Sequence, residues 1–274
     1  MSNEEHKQPN ENANALGSAL RDLGQQLIPR VQEFERTLRE LIVAAKPYLA
    51  NLVKNVKALP ARTGNVQRIL ARRGWFIPPR VPAMAFLKLV EEHSANGRMK
   101  ELDELMTNYI DSQLNEIEKD LVAGYPNRAA LFVEAFKAHR LEMYASSITV
   151  LLSQADGICI DSLGQKFFSM ETVAGIKQPK TKKVIEAYGA GALQEMMLEP
   201  LLSGSGMGAS EKEQALYSDS LNRHTVMHGI DTTYASKVNS AKAISLVAYL
   251  GSTAQGTIKE MKLRSESDTE DANE

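Results

Sequence analysis

The stretch Leu221-Asn222-Arg223-His224-Thr225-Val226-Met227-His228-Gly229 gathers more polar chemistry than any other segment of its length in the chain. His224 and His228 stand four apart, on one face of a helix, which is a metal-ligand spacing. A zinc protease of the His-Glu-x-x-His kind needs glutamate directly after the first histidine, and Thr225 occupies that place. No third ligand is apparent, so no metal is expected. Arg223 and His228 enclose four residues and offer a different chemistry. A histidine at a helix end closed by Gly229 can take or give a proton near neutral pH, as general acid–base catalysis requires. An arginine about one and a half turns earlier is a permanent two-pronged donor for a phosphate. The competing explanation is structural: Arg223 pairs with Asp219 one turn earlier, and His228 closes the helix end.

Other reactive side chains have plainer readings. His6 lies in a polar terminus, and His93, in the charged run Glu91-Glu92-His93-Ser94, reads as solvated surface. His139 sits in an amphipathic segment and reads as packed or half-buried, with a role near the site as its alternative; Tyr144 reads as core, and Asp156 as a turn residue or, second, a support for the cleft. Cys159, flanked by Ile158 and Ile160, is expected to be an inert buried thiol. As the single cysteine it excludes an internal disulfide framework and a multi-thiolate zinc site. Met196 and Met197 read as gap-filling core. Lys177, Lys180, Lys182 and Lys183 form the one notable basic cluster, a solvated loop that can also touch an RNA backbone. The glycine run Ser203 to Gly208 follows no strand and lacks the Gly-Lys-Ser/Thr ending of a phosphate loop, so it reads as a connector.

Helices must carry these groups. Leu16, Leu20, Leu23 and Leu27, then Val31, Phe34, Leu38, Leu41 and Ile42, recur three and four apart, with Pro29 and Pro47 as punctuation. Arg73 to Pro82 carries three prolines that break the pattern and reads as the boundary between an N-terminal helical region, 15–80, and a main helical domain, 81–253. Within that domain the spacing predicts helices over 83–96, 98–123 and 127–154, with Asn127 as an N-cap. Asp156-Gly157-Ile158 is expected to end the third of these. Further helices are predicted over 181–201, 211–228 and 234–253, the last with a packing stripe of Val238, Ala241, Ile244, Ser245 and Ala248. No stretch alternates convincingly with period two, so no sheet is expected. Residues 1–14 and the acidic tail 254–274 read as disordered. The expected fold class is all-α, a helical bundle.

Bulk composition bounds the rest. Of 274 residues, 43% are hydrophobic and 24% charged, ordinary values for a chain that folds alone. A net charge of -2 argues against broad electrostatic coating of nucleic acid or anionic membrane, while leaving room for a local basic site. No apolar run approaches the roughly 18 residues that span a bilayer, and the polar start is not a signal peptide. A cytoplasmic protein with no membrane partner is expected.

The segment from Asn222 to Gly229, followed by Tyr234, Asn239, Lys242 and Leu246-Val-Ala-Tyr-Leu250, resembles the C-terminal helix pair of the HEPN superfamily. Ala138-His-Arg-Leu-Glu-Met-Tyr144, with Ser147 to Gln154 and Asp156 to Ile158, resembles an earlier long helix of the same domain. The resemblance covers roughly 125–253. It implies a metal-independent, cofactor-free endoribonuclease working as a homodimer, in the manner of toxin, phage-defence and stress-response nucleases. His228 would move protons as the ribose 2′-hydroxyl attacks the adjacent phosphate, leaving a 2′,3′-cyclic phosphate. Arg223 would stabilise charge on the phosphoryl oxygens. Asn222, His224, Tyr234 and Asn239 would bind substrate or support the cleft. Some catalytic members carry a tyrosine two residues after the histidine, where this chain has Ile230. RNA is the implied partner, and a regulatory protein partner is compatible with that context. The alternative is a catalytically inactive module of the same kind that binds protein or RNA. An enzyme transferring nucleotidyl groups finds neither a phosphate loop nor a carboxylate pair.

Overall fold

The computed structural model describes residues 56–271 apart from Ser218, together with parts of 33–54, and side chains as far as Arg264. The expected disorder of 1–14 and the apolar spacing of Leu16 to Leu27 lie outside the described residues. The chain divides into two compact units, Met1–Ala58 and Leu59–Glu274. In the first, the described residues between 33 and 48 are helical. All that follows concerns the second.

Its elements are α1 (59–72), α2 (Ala83–Ala95), α3 (Met99–Ser112), α4 (Leu114–Gly124), α5 (Ala129–Arg140) and α6 (Tyr144–Leu163). A hairpin, β1 (Met170–Val173) and β2 (Ile176–Pro179), leads to α7 (Lys180–Ala187) and α8 (Ala192–Ser203). Then come α9 (Arg223–Met227), α10 (Lys237–Tyr249), a wide turn at Leu250–Ala254, and α11 (Gln255–Asp271). The fold is all-α, a helical bundle. Its axis is α10, which packs on α6 and α3 and is buried on every side from Ser240 to Tyr249. The expected stripe on this helix is therefore a full circumference, as a helix surrounded by others requires. Alanines and serines line much of it and let the neighbouring backbones approach closely.

The proline segment is no domain boundary. Trp75 and Phe76 are fully buried in the second unit: the Trp75 indole donates to Asp103 Oδ1 at 2.7 Å, and Phe76 stacks on Tyr249 at 5.7 Å. An aromatic pair of this size anchors an irregular segment to the core better than it marks a linker. The division falls earlier, at Ala58 and Leu59.

Several predicted helices are broken or extended. The span 98–123 is interrupted at Gln113, and 127–154 at residues 141–143, where Glu142 adopts φ 59°. Asn127 is no cap but the middle of a short 3₁₀ turn, Pro126–Arg128. Gly157 does not end a helix; α6 continues to Leu163, and the left-handed terminator is Gly164, φ 68°. The reason glycine stands at 157 is a neighbour. A Cβ there would come 2.2 Å from Arg128 Nη1, whose guanidinium lies across α6 and bonds Gln154 and Asp161. The span 181–201 divides into α7 and α8, and 211–228 into a 3₁₀ segment, Glu211–Tyr217, and α9.

A small sheet exists after all. Met170 pairs with Pro179 and Val173 with Ile176, across Ala174 and Gly175 at φ 50° and 81°, both in the left-handed region that a two-residue hairpin needs. Strands of four residues carry too little alternation to stand out in a sequence. Nor is the tail structureless at its start. Ala254, Ile258 and Met261 are buried at helical spacing, so the first turns of α11 belong to the core. The basic cluster is not a loop either: Lys177 lies in β2, and Lys180, Lys182 and Lys183 lie on α7.

Candidate functional site

Helix α9 is a single turn and a half, held from both ends by its own sequence. Asn222 is the N-cap: its Oδ1 accepts from Thr225 N–H at 3.1 Å, and its Nδ2 donates to the Ala209 carbonyl at 2.9 Å. At the other end Gly229 turns left-handed, φ 68°, and Ile230 N–H returns to Thr225 O at 2.8 Å. The helix is thereby fixed in direction, and Arg223, His224 and His228 project from it. The imidazoles of His224 and His228 are in contact, with ring centroids 4.4 Å apart and planes at 54°. His228 is exposed and His224 half-buried.

Arg223 does not pair with Asp219. Its Nη2 lies 3.8 Å from Asp156 Oδ2, and its guanidinium 5.8 Å over the Phe168 ring. Asp219 instead accepts from Arg73 at 2.6 Å, inside a network that also holds Asp103 and Trp75. Asp156 is a residue of α6, not of a turn, and its Oδ1 accepts from Phe168 N–H at 3.1 Å. One carboxylate thus places both the arginine and the aromatic ring beneath it. Arg223 and His224 open on a cleft of about 340 Å³, whose other walls include Phe168, Met207, Ser210 and Lys212.

The remaining candidates lie apart from this cleft. Asn222 is 2% exposed and spends its amide on the cap and the Ala209 carbonyl. The Tyr234 hydroxyl is 3.5 Å from Thr149 Oγ1, and the Tyr234 carbonyl accepts from Asn239 Nδ2 at 2.9 Å. Asn239 N–H donates to Ser236 Oγ, the N-cap of α10. These residues shape the α9–α10 connection. Asp156, whose second reading is a support for the cleft, does sit against Arg223, whereas nothing near Phe168 and Lys212 in sequence announces a cleft, and they meet α9 only through the fold.

Two buried polar clusters lie elsewhere. His139, expected to be packed or half-buried, is 5% exposed; its Nδ1 shares a 2.8 Å hydrogen bond with Ser240 Oγ and its Nε2 one of 3.2 Å with Asp111 Oδ1. Ser240 Oγ in turn bonds Ser147 Oγ at 3.1 Å, and Lys237 holds the other Asp111 oxygen at 2.6 Å. Both serines are wholly buried, so this Ser-His-Asp order serves as a clamp between helices and reaches no substrate. Burial drives the His139 pKa down, partly opposed by Asp111. Lys242, 2% exposed, donates to the Asp219 carbonyl at 2.6 Å, and burial brings its pKa down to about 8. His93 is not solvated surface: it is 6% exposed on the inner face of α2, hydrogen-bonded to Leu89 O at 2.8 Å. Cys159 is buried, as expected, and burial raises its thiol pKa. Met196 is buried too. Tyr144 is half-buried, edge-on to His139.

Among the described residues, no group of three or more His, Cys, Asp and Glu side chains is placed to hold a metal ion, and no helix is long and apolar enough to cross a membrane. No protein-family model, curated protein or solved structure matches the chain.

Proposed function

We propose that the protein is a metal-independent endoribonuclease of the HEPN kind, acting at the cleft beside α9. The observation that carries the reading is the cluster itself: an arginine and a histidine on one cleft, with a second, more exposed histidine off the lining and in ring contact with the first. Transesterification of RNA needs two proton transfers and a cation for the phosphorane, and these three residues are the right types. In the proposed reaction His228 takes the proton of a ribose 2′-hydroxyl as that oxygen attacks phosphorus. The bond from phosphorus to the 5′-oxygen breaks, and His224 returns a proton to the leaving oxygen. The products are a 2′,3′-cyclic phosphate and a 5′-hydroxyl. Arg223, 3.8 Å from Asp156 and so not locked in a short ion pair, swings to the non-bridging oxygens.

The second copy in this reading docks at the same end of α9. Met227 and Ile230 are exposed on either side of His228. An apolar patch beside a polar catalytic group suits a homodimer that brings two Arg/His motifs together. A toxin, phage-defence or stress setting, with a regulatory protein partner, fits such an activity.

A second reading is a silent helical module that binds RNA or protein. The engagement of Arg223 by Asp156, and the structural use of Asn222, Tyr234 and Asn239, favour it. Cleavage of total and transfer RNA in EDTA separates the two. Wild-type protein yields cyclic phosphate ends under the first reading, and His228→Ala and Arg223→Ala abolish them while remaining folded. No cleavage of varied RNAs, or cleavage indifferent to both substitutions, establishes the second.

A further inference from the structure

On the other side of Phe168, Gly208 and Ala209 lies a second cleft, of about 230 Å³, that the chemistry above does not use. Three cations reach it: Arg68, Arg72 and Lys177. Two are answered by carboxylates. Arg68 Nη1 donates to Glu199 Oε1 at 2.9 Å, and Lys177 Nζ to Glu213 Oε2 at 2.6 Å. Glu213 is the one acidic residue on the lining, and its charge is engaged, because the same oxygen also accepts from the Ser210 hydroxyl and N–H at 2.6 and 3.0 Å. With Lys177 as the largest cause, these bonds hold its pKa down at about 2.

Arg72 differs from its neighbours. Among the described residues no carboxylate pairs with it, and its guanidinium lies 5.3 Å over the Tyr217 ring. Beside it, Ser205 on the lining has a hydroxyl oxygen that is buried and without any hydrogen-bond partner. Such a group bears the cost of desolvation with nothing in return, and a partner is to be sought for it. The wall joining the two is closely packed. A Cβ at Gly206 would come 2.4 Å from the Arg72 carbonyl oxygen, so the 204–208 loop sits hard against the end of α1. The adjoining clefts also repeat one arrangement, a guanidinium over an aromatic ring: Arg223 on Phe168, Arg72 on Tyr217.

We propose that this second cleft binds a phosphate group of single-stranded RNA through the Arg72 guanidinium and the Ser205 hydroxyl, as a phosphate position next to the one served by Arg223. A tetrahedral group with several free oxygens can take a two-pronged arginine and a hydroxyl from different directions, which a single carboxylate does less well. The assignment rests on the ribonuclease reading for the strand, but not for the phosphate.

The test is binding of inorganic phosphate and of a 2′-deoxy oligonucleotide, which cannot be cleaved, to the full chain by calorimetry and fluorescence anisotropy. Arg72 is exposed, so Arg72→Gln keeps the fold. It is expected to weaken both ligands about tenfold or more, the scale of a lost charge-assisted hydrogen bond. Ser205→Ala is expected to weaken both and to raise the Tm of the ligand-free protein, because it removes an unpaired buried hydroxyl. A Ser205 of merely structural role would lower the Tm instead. If Arg72→Gln binds the oligonucleotide as tightly as wild type, the proposal falls. Phosphate binding with no oligonucleotide binding also overturns it, since the strand is part of the claim. If binding depends on Arg72 but wild type cleaves no RNA, the nuclease reading fails alone and this site stands.

Discussion

Asp156 governs how far Arg223 can reach. It holds the guanidinium at 3.8 Å through Oδ2 and anchors Phe168 through Oδ1, so its two oxygens have separable roles. Asp156→Asn keeps an acceptor for Phe168 N–H and removes the charge that competes with a phosphate. With Arg223 one-third exposed, the released attraction is screened, and RNA affinity is expected to rise only about two- to fivefold, read by anisotropy. Asp156→Ala loses the anchor as well and is expected to weaken binding. In turnover, His228→Ala is expected to cost about a hundredfold or more, by single-turnover cleavage in EDTA. Gly157 gives a third test at this scale. Gly157→Ala obliges the Arg128 guanidinium to give up its bonds to Gln154 and Asp161, which offsets the helix propensity gained, so stability is expected to change by no more than about 1 kcal/mol, by urea unfolding. In an Arg128→Ala background the same change is expected to stabilise by about 0.5–1 kcal/mol, because the obstructing group is gone and alanine is the better helix former. Arg223, His224 and His228 could be singled out from sequence because their types and spacing are local to one turn and a half of helix. Asp156 could not be placed, because its pairing depends on α6 running past Gly157. That glycine looks like a terminator until Arg128 is seen lying on it.

Helices α3, α5, α6 and α10 meet at one hydrogen-bonded junction, Asp111–His139–Ser240 with Ser147. The histidine pKa is lowered by burial, so below about 6.5, the unfolded value, the unfolded chain binds more protons than the folded one. Stability drawn from this residue is therefore complete above that pH and falls as the pH drops from it toward the folded-state value. Thermal melts from pH 8 to pH 5 are expected to show this decline, and His139→Gln is expected to flatten it, whatever its own offset. At α11, a chain ending at Ala254 loses Ile258 and Met261 from the core. The expected cost is about 3–6 kcal/mol from two buried apolar side chains, whereas ending the chain at Arg264 is expected to leave the Tm nearly unchanged. The existence and type of most elements could be read from periodicity, since an apolar face recurring at three and four declares a helix. Their ends could not. The breaks at Gln113 and Glu142 carry no glycine or proline to announce them.

For the whole molecule, the exposed Met227 and Ile230 make the assembly testable apart from the chemistry. Ile230→Glu is expected to shift a dimer to monomer in light scattering and to abolish cleavage while leaving the fold intact; a monomeric wild type would remove the two-motif arrangement. The bundle as a class could be read from composition and period, but the division at Ala58 could not, because Trp75 and Phe76 sit in a sequence that looks like a linker and are tied to Asp103 and Tyr249 only by the fold. The central position of α10 bears on how the protein is made. The walls that α3 and α6 give that helix are delivered earlier by the ribosome, yet from Ser240 to Tyr249 it is the piece they enclose. Until it emerges, the faces of α3 and α6 that meet it stand open in the nascent chain, although α6 already has α5 to pack against. The inner faces of the earlier helices are thus obliged to wait for a late one, and they stay uncovered for as long as α10 is still inside the exit tunnel.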